Sequence, residues 1–110
     1  MNEFSAQQMA ILQRLIAKEF AIVAFPLYAN AVGVRKGICA ALLDPVKDGG
    51  FRFFGEPCIL LDGNLTVRIT DKNKSWFVWK KQRVEATPQR LSDLGIFVAE
   101  LKLLMESNLT

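Results

Sequence analysis

No histidine occurs anywhere in this chain. Its absence excludes Ser-His-Asp and Cys-His catalysis and every metal centre built on imidazole. Cysteine is nearly as scarce. Cys39 and Cys58 share no metal-type spacing and have no basic activator beside them, so neither reads as a nucleophile. Neither G-x-G-x-x-G nor G-x-x-x-x-G-K-[ST] is present, which removes the two commonest phosphate cradles. No basic-then-apolar leader with a small-residue cleavage site is visible. The longest apolar stretch near the start, Phe20 to Leu27, is too short to span a bilayer and contains Pro26. The expectation is a cytoplasmic protein with no membrane span and two reduced, buried thiols. A disulfide between two core strands is the alternative.

Apolar residues, by contrast, are abundant. They make up 51% of the chain without counting glycine, against a usual share of about 45–50% that includes it. A chain of 110 residues is expected to form a single domain over 1–110. At that size roughly two-thirds of the unfolded surface is buried, enough for a core without metal or disulfide staples. The apolar excess points to surface covered by another chain, and a two-fold homodimer is the commonest closed form.

The formal charge of +3 is unevenly spread. Arg68, Lys72, Lys74, Lys80, Lys81 and Arg83 lie in one segment opposed only by Asp71, so residues 68–83 carry +5 and the rest of the chain −2. This is a local basic patch and not a generally cationic protein.

The pattern of elements predicts the α+β class: an N-terminal helix, an antiparallel β-meander of about four strands and a C-terminal helix. Ser5 and Gln8 fit a capping box, with Phe4 and Met9 placed as its hydrophobic staple. Ile11, Leu12, Leu15, Ile16 and Phe20 continue at helical spacing. Pro26 stops that helix, which is expected to end between Glu19 and Ala24. Residues 28–34 read equally as strand, loop or helical turn, and Ile38 to Leu43 as a buried strand or a short helix. Asp44-Pro45 and Asp48-Gly49-Gly50 mark loops, Phe51 to Phe54 a short strand, and Asp62-Gly63-Asn64 a hairpin turn after Cys58 to Leu61. Thr87-Pro88 starts the last helix. Its stripe is Leu91, Leu94, Phe97, Val98, Leu101, Leu104 and Met105, and Gly95 inside it allows close packing against the sheet or a partner.

The most informative stretch is the hairpin 65–83. Leu65, Val67 and Ile69 alternate with Thr66, Arg68 and Thr70, Asp71 to Lys74 supplies turn chemistry, and Ser75 to Lys81 returns. An even-length turn puts Leu65, Val67, Ile69, Trp76 and Val78 on one face and Thr66, Arg68, Phe77, Trp79 and Lys81 on the other. A three-residue turn would change those partners. If the second face is open, its rings and cations suit single-stranded nucleic acid, with Arg68, Trp76, Phe77, Trp79, Lys80, Lys81 and Arg83 as binding residues. If a terminal helix or a second protomer covers it, the aromatics are packing and the lysines reach to a solvated rim. The second reading is preferred.

Catalysis finds little support. Asp44, Asp48, Glu56 and Asp62 lie at turns, where acids ordinarily serve as turn formers. The acid-x-lysine strand of metal-dependent nucleases is not met, because Val78 and Trp79 precede Lys80 and Lys81. The expectation is a non-enzymatic binding or assembly module that self-associates, without cofactor or metal. A nucleic-acid-binding domain using the hairpin is the alternative.

Overall fold

A computed structural model describes residues 4–106. The order is helix, nine short strands, helix, and every strand pairing is antiparallel, so the class is α+β. The expectation of about four strands undercounts. Several strands are only two to four residues long, too short to show a period in sequence.

Helix α1 spans Ala6–Ala17. The Gln8 N–H donates to Ser5 Oγ at 3.0 Å and the Ser5 N–H to Gln8 Oε1 at 2.9 Å, closing the capping box. The Gln8 side chain has a second task. Its Nε2 donates to the carbonyls of Val46 and Gly50 at 3.0 and 3.1 Å, tying a distant loop to the helix start. Phe4 packs edge-on against Phe51, with ring centroids 5.9 Å apart, while the expected staple partner Met9 stays largely exposed.

The helix stops before the expected range, at a Schellman cap that needs no proline. Glu19 adopts φ 71°. Its N–H donates to the Ile16 carbonyl and the Phe20 N–H to the Leu15 carbonyl, both at 3.0 Å. Phe20 is thereby turned into the core beside Leu15. The chain continues as β1, Ala21–Val23, where helix had been expected.

A short 3-10 turn, Pro26–Tyr28, precedes β2, Val32–Lys36, and β3, Cys39–Pro45. The ambiguous run is therefore helical turn and loop up to residue 31 and sheet from Val32 and from Cys39 onward, and Asp44-Pro45 belongs to the strand and not to a loop. Next come β4, Phe51–Phe53, β5, Cys58–Leu61, and β6, Asn64–Leu65. These strands form one sheet in the order β1-β2-β3-β5-β6, with β4 also paired to β3. One face presents Val34, Ala41, Leu43 and Cys39 to the core. On the other, the Phe25 ring lies so close to Gly33 that a Cβ there would be 2.5 Å from it. The turn between β5 and β6 is Asp62-Gly63, both at positive φ (50° and 78°), as a two-residue type I′ hairpin requires.

A second, three-stranded sheet contains β7, Val67–Asp71, β8, Lys74–Trp79, and β9, Gln82–Glu85, in that order. Helix α2, Pro88–Glu106, follows a Thr87 cap whose Oγ1 accepts from the Arg90 N–H at 3.2 Å. Leu94, Phe97 and Leu101 are its buried positions, with Phe97 against the Phe20 ring at 5.6 Å. The Arg14 guanidinium of α1 donates to the Leu104 carbonyl of α2 at 3.0 and 3.3 Å. No described helix is long and apolar enough to cross a membrane.

Candidate interaction surface

The hairpin turn is even. Asp71 pairs with Lys74, Ile69 with Trp76, Arg68 with Phe77 and Val67 with Val78. Lys72 and Asn73 both take positive φ, 53° and 67°, the type I′ geometry in which asparagine is favoured. Val67, Ile69, Trp76 and Val78 consequently share a face, and Arg68 shares the other with Phe77.

That second face is the covered one at its centre. Phe77 has 0% exposure and joins Ile59, Ala86 and Leu94 in the core cluster. It is sealed from solvent and cannot stack a base in this conformation, which removes it from the binding set. Trp76 lies on the opposite face, half-buried, with the Arg83 guanidinium 4.2 Å above its ring. Arg83 also reaches Asp71 at 3.4 Å, across the full width of the small sheet. Trp79 is half-buried beneath the Lys80 ammonium at 5.1 Å. Lys80 and Lys81 do not continue the return strand as expected. They form the two-residue turn into β9, with Lys80 at φ 53°. The seven expected residues therefore split among a core position, two cation-covered indoles, the two lysines of an exposed turn and two exposed strand cations, Arg68 and Arg83.

What surrounds Arg68 was not legible in the sequence. Every residue of β7 is exposed, and the strand is the outer member of its sheet. Beside it opens a groove in two branches that share Glu56, Pro57 and Arg68. One, of about 370 Å³, runs past Tyr28, Leu42, Phe54 and Leu65. The other, of about 680 Å³, runs along Leu91, Leu94 and Val98 of α2 toward Lys102. Its walls come from positions 28, 56, 68 and 98, so no local pattern could announce it. Gly95 sits in this groove with nothing within 4 Å of a would-be Cβ, so of the two expected roles, packing on the sheet or on a partner, the sheet is not what it packs against.

A third exposed region lies on the far side of α2. Ile38, Ile96 and Leu103 are 51%, 65% and 70% exposed, and Ile38 and Ile96 line a single cleft of about 370 Å³.

Both thiols lie behind these surfaces, Cys58 in the lining of the first branch and Cys39 in that of the cleft. Both are free and buried. In the β3–β5 register Cys39 faces Ile59 and Cys58 faces Ala40, so the two side chains leave opposite faces of the sheet and cannot be bridged. Burial pushes both thiols up, with the Asp93 carboxylate adding to the rise at Cys39 and the Thr66 N–H partly offsetting it at Cys58. Among the described residues no three Cys, Asp or Glu converge as a metal site would need. Comparison with protein-family models, curated proteins and solved structures finds no match for this chain.

Proposed function

We propose that this chain is a non-enzymatic binding or assembly module that self-associates as a homodimer. The observation that carries the reading is the exposure of Ile38, Ile96 and Leu103 on the outer side of α2 and the adjoining β2–β3 turn. Three aliphatic side chains more than half exposed on one side lose the most hydration cost when covered, at about 25 cal/mol per Å². A second copy suits this face because its rim carries little net charge, with Asp93 the one lining charge outside an ion pair. Lys36 and Glu100, which flank the cleft, already pair at 3.0 Å, so two copies would not repel there.

Nucleic acid is the weaker reading. Phe77 is enclosed and both indoles already carry a cation, which leaves no free ring among the hairpin's expected stacking residues. A single-stranded oligonucleotide should show no binding in fluorescence anisotropy even at low salt, where attraction to the lysines is strongest.

Sedimentation equilibrium at micromolar concentration tests the assembly reading. The unaltered protein should sediment as a dimer, and the Ile96→Glu, Leu103→Glu double variant as a folded monomer. A monomer mass for the unaltered protein throughout would sink it.

A further inference from the structure

The outer edge of β7 carries unmet hydrogen-bonding capacity in strand geometry. In a two-residue hairpin the residues flanking the loop exchange both backbone bonds, and the exchange recurs at every second pair. Asp71, Ile69 and Val67 therefore bond to β8. Arg68 and Thr70 point their N–H and C=O groups the other way, to the open edge, where Arg68 borders the groove. Among the described residues neither group has a backbone partner there. An exposed edge of this kind is a template for one more strand.

We infer that the groove between β7 and α2 accepts an extended acidic segment of another protein, added as a strand to the β7 edge. Two features beyond the free edge support it. First, an unpaired strand facing a helix across an apolar groove is the arrangement in which added strands take backbone bonds from the edge and bury alternate side chains between the two elements. Here Leu91, Leu94 and Val98 of α2 supply that apolar wall. Second, charge selects the occupant. Arg68 lies in the groove without a carboxylate partner among the described residues, and Lys102 closes its far end. Lys72 and Lys74 extend the cationic line past the hairpin tip, and Glu56 is the one acid in the lining. A second copy of this chain would set residues 68–83, at +5, against themselves, whereas an acidic side chain of the added segment meets Arg68 on the face shared with α2, between apolar side chains that pack on Leu91, Leu94 and Val98. The inference is independent of the dimer reading, which concerns the opposite side of α2.

Amide-resolved NMR with a synthetic peptide, Val-Glu-Glu-Glu-Phe-Glu, whose alternate residues put an acid between two apolar side chains on one face, decides the matter. On titration the Arg68 and Thr70 amide protons should shift downfield and exchange with solvent at least tenfold more slowly. Those of Val67, Ile69 and Asp71, already bonded, should change little. Arg68→Glu should weaken binding at least tenfold, and the lysine counterpart of the peptide should not bind. Thr70→Pro, which removes one free-edge N–H at a position where an edge strand tolerates proline, should weaken binding while the circular dichroism spectrum is unchanged. No shift at Arg68 and Thr70, equal binding of the basic peptide, or an oligonucleotide that binds where the acidic peptide does not would each overturn the inference.

Discussion

The Thr66 hydroxyl donates to the carbonyl of Ile59 at 2.6 Å, inside the protein, where one extended stretch leaves the large sheet as β6 and enters the small sheet as β7. Thr66 is the single residue between those strands, and it is buried while every residue of β7 beyond it is exposed. Thr66→Val would keep the shape but leave a buried acceptor unmet, at a cost of about 1–3 kcal/mol. Urea denaturation should show that loss, with Thr66→Ser retaining most of the stability.

Gln8 joins a helix cap to a loop some forty residues away. Gln8→Ala removes the return bond of the capping box and both donors to Val46 and Gly50. A loss of about 1–3 kcal/mol is expected. Amide exchange should rise in residues 46–50 more than in the body of α1. Equal protection in that loop would show that the side chain does not hold it.

Gly33 is required by closeness and not by an unusual backbone angle. A Cβ there would stand 2.5 Å from both the Phe25 ring and the Val23 carbonyl. Gly33→Ala should cost about 1–3 kcal/mol by overpacking. Adding Phe25→Ala should not restore it, since the carbonyl obstruction remains. A double variant as stable as Phe25→Ala alone would contradict this.

The two adjacent aromatics of β8 should respond oppositely to substitution. Trp76 Nε1 is buried with no acceptor among the described residues, so Trp76→Phe removes an unsatisfied donor and should fall within about 1 kcal/mol of neutral. Phe77→Ala should cost about 3–5 kcal/mol, because it opens a cavity in the core cluster. Comparing the two midpoints in one denaturant settles which face is structural.

Both thiols sit above their ordinary value of 9.0 through burial. In alkali the unfolded chain therefore releases these protons before the folded one, and the folded state binds more of them. Stability should be full well below that ordinary value and fall as pH rises through it toward the folded values, by at most about 1.4 kcal/mol per pH unit and thiol. Urea midpoints at pH 8 and pH 10 should differ more for the unaltered protein than for Cys39→Ala, Cys58→Ala. Parallel losses would mean the thiols contribute nothing to the alkaline slope.

What the sequence determined by itself is local. Ser5 with Gln8, Thr87 with Pro88 and Asp62-Gly63 each satisfy neighbouring backbone groups, so their geometry follows from residues a few positions apart, and the α+β order of elements follows from them. Tertiary structure decided the rest. The cap that ends α1 at Ala17, with Glu19 at its positive-φ position, carries no glycine signal, and it falls there because Phe20 is buried with Leu15 and Phe97. Both faces of the 67–79 hairpin are apolar enough to bury, and only the position of α2 and β5 made Phe77 the core residue and left Trp76 outside. Strands of two or three residues have no readable period and exist because a neighbour supplies their hydrogen bonds. The groove at Arg68 is assembled from Glu56, Pro57 and α2, and pairing and packing at long range, not composition, brought them together.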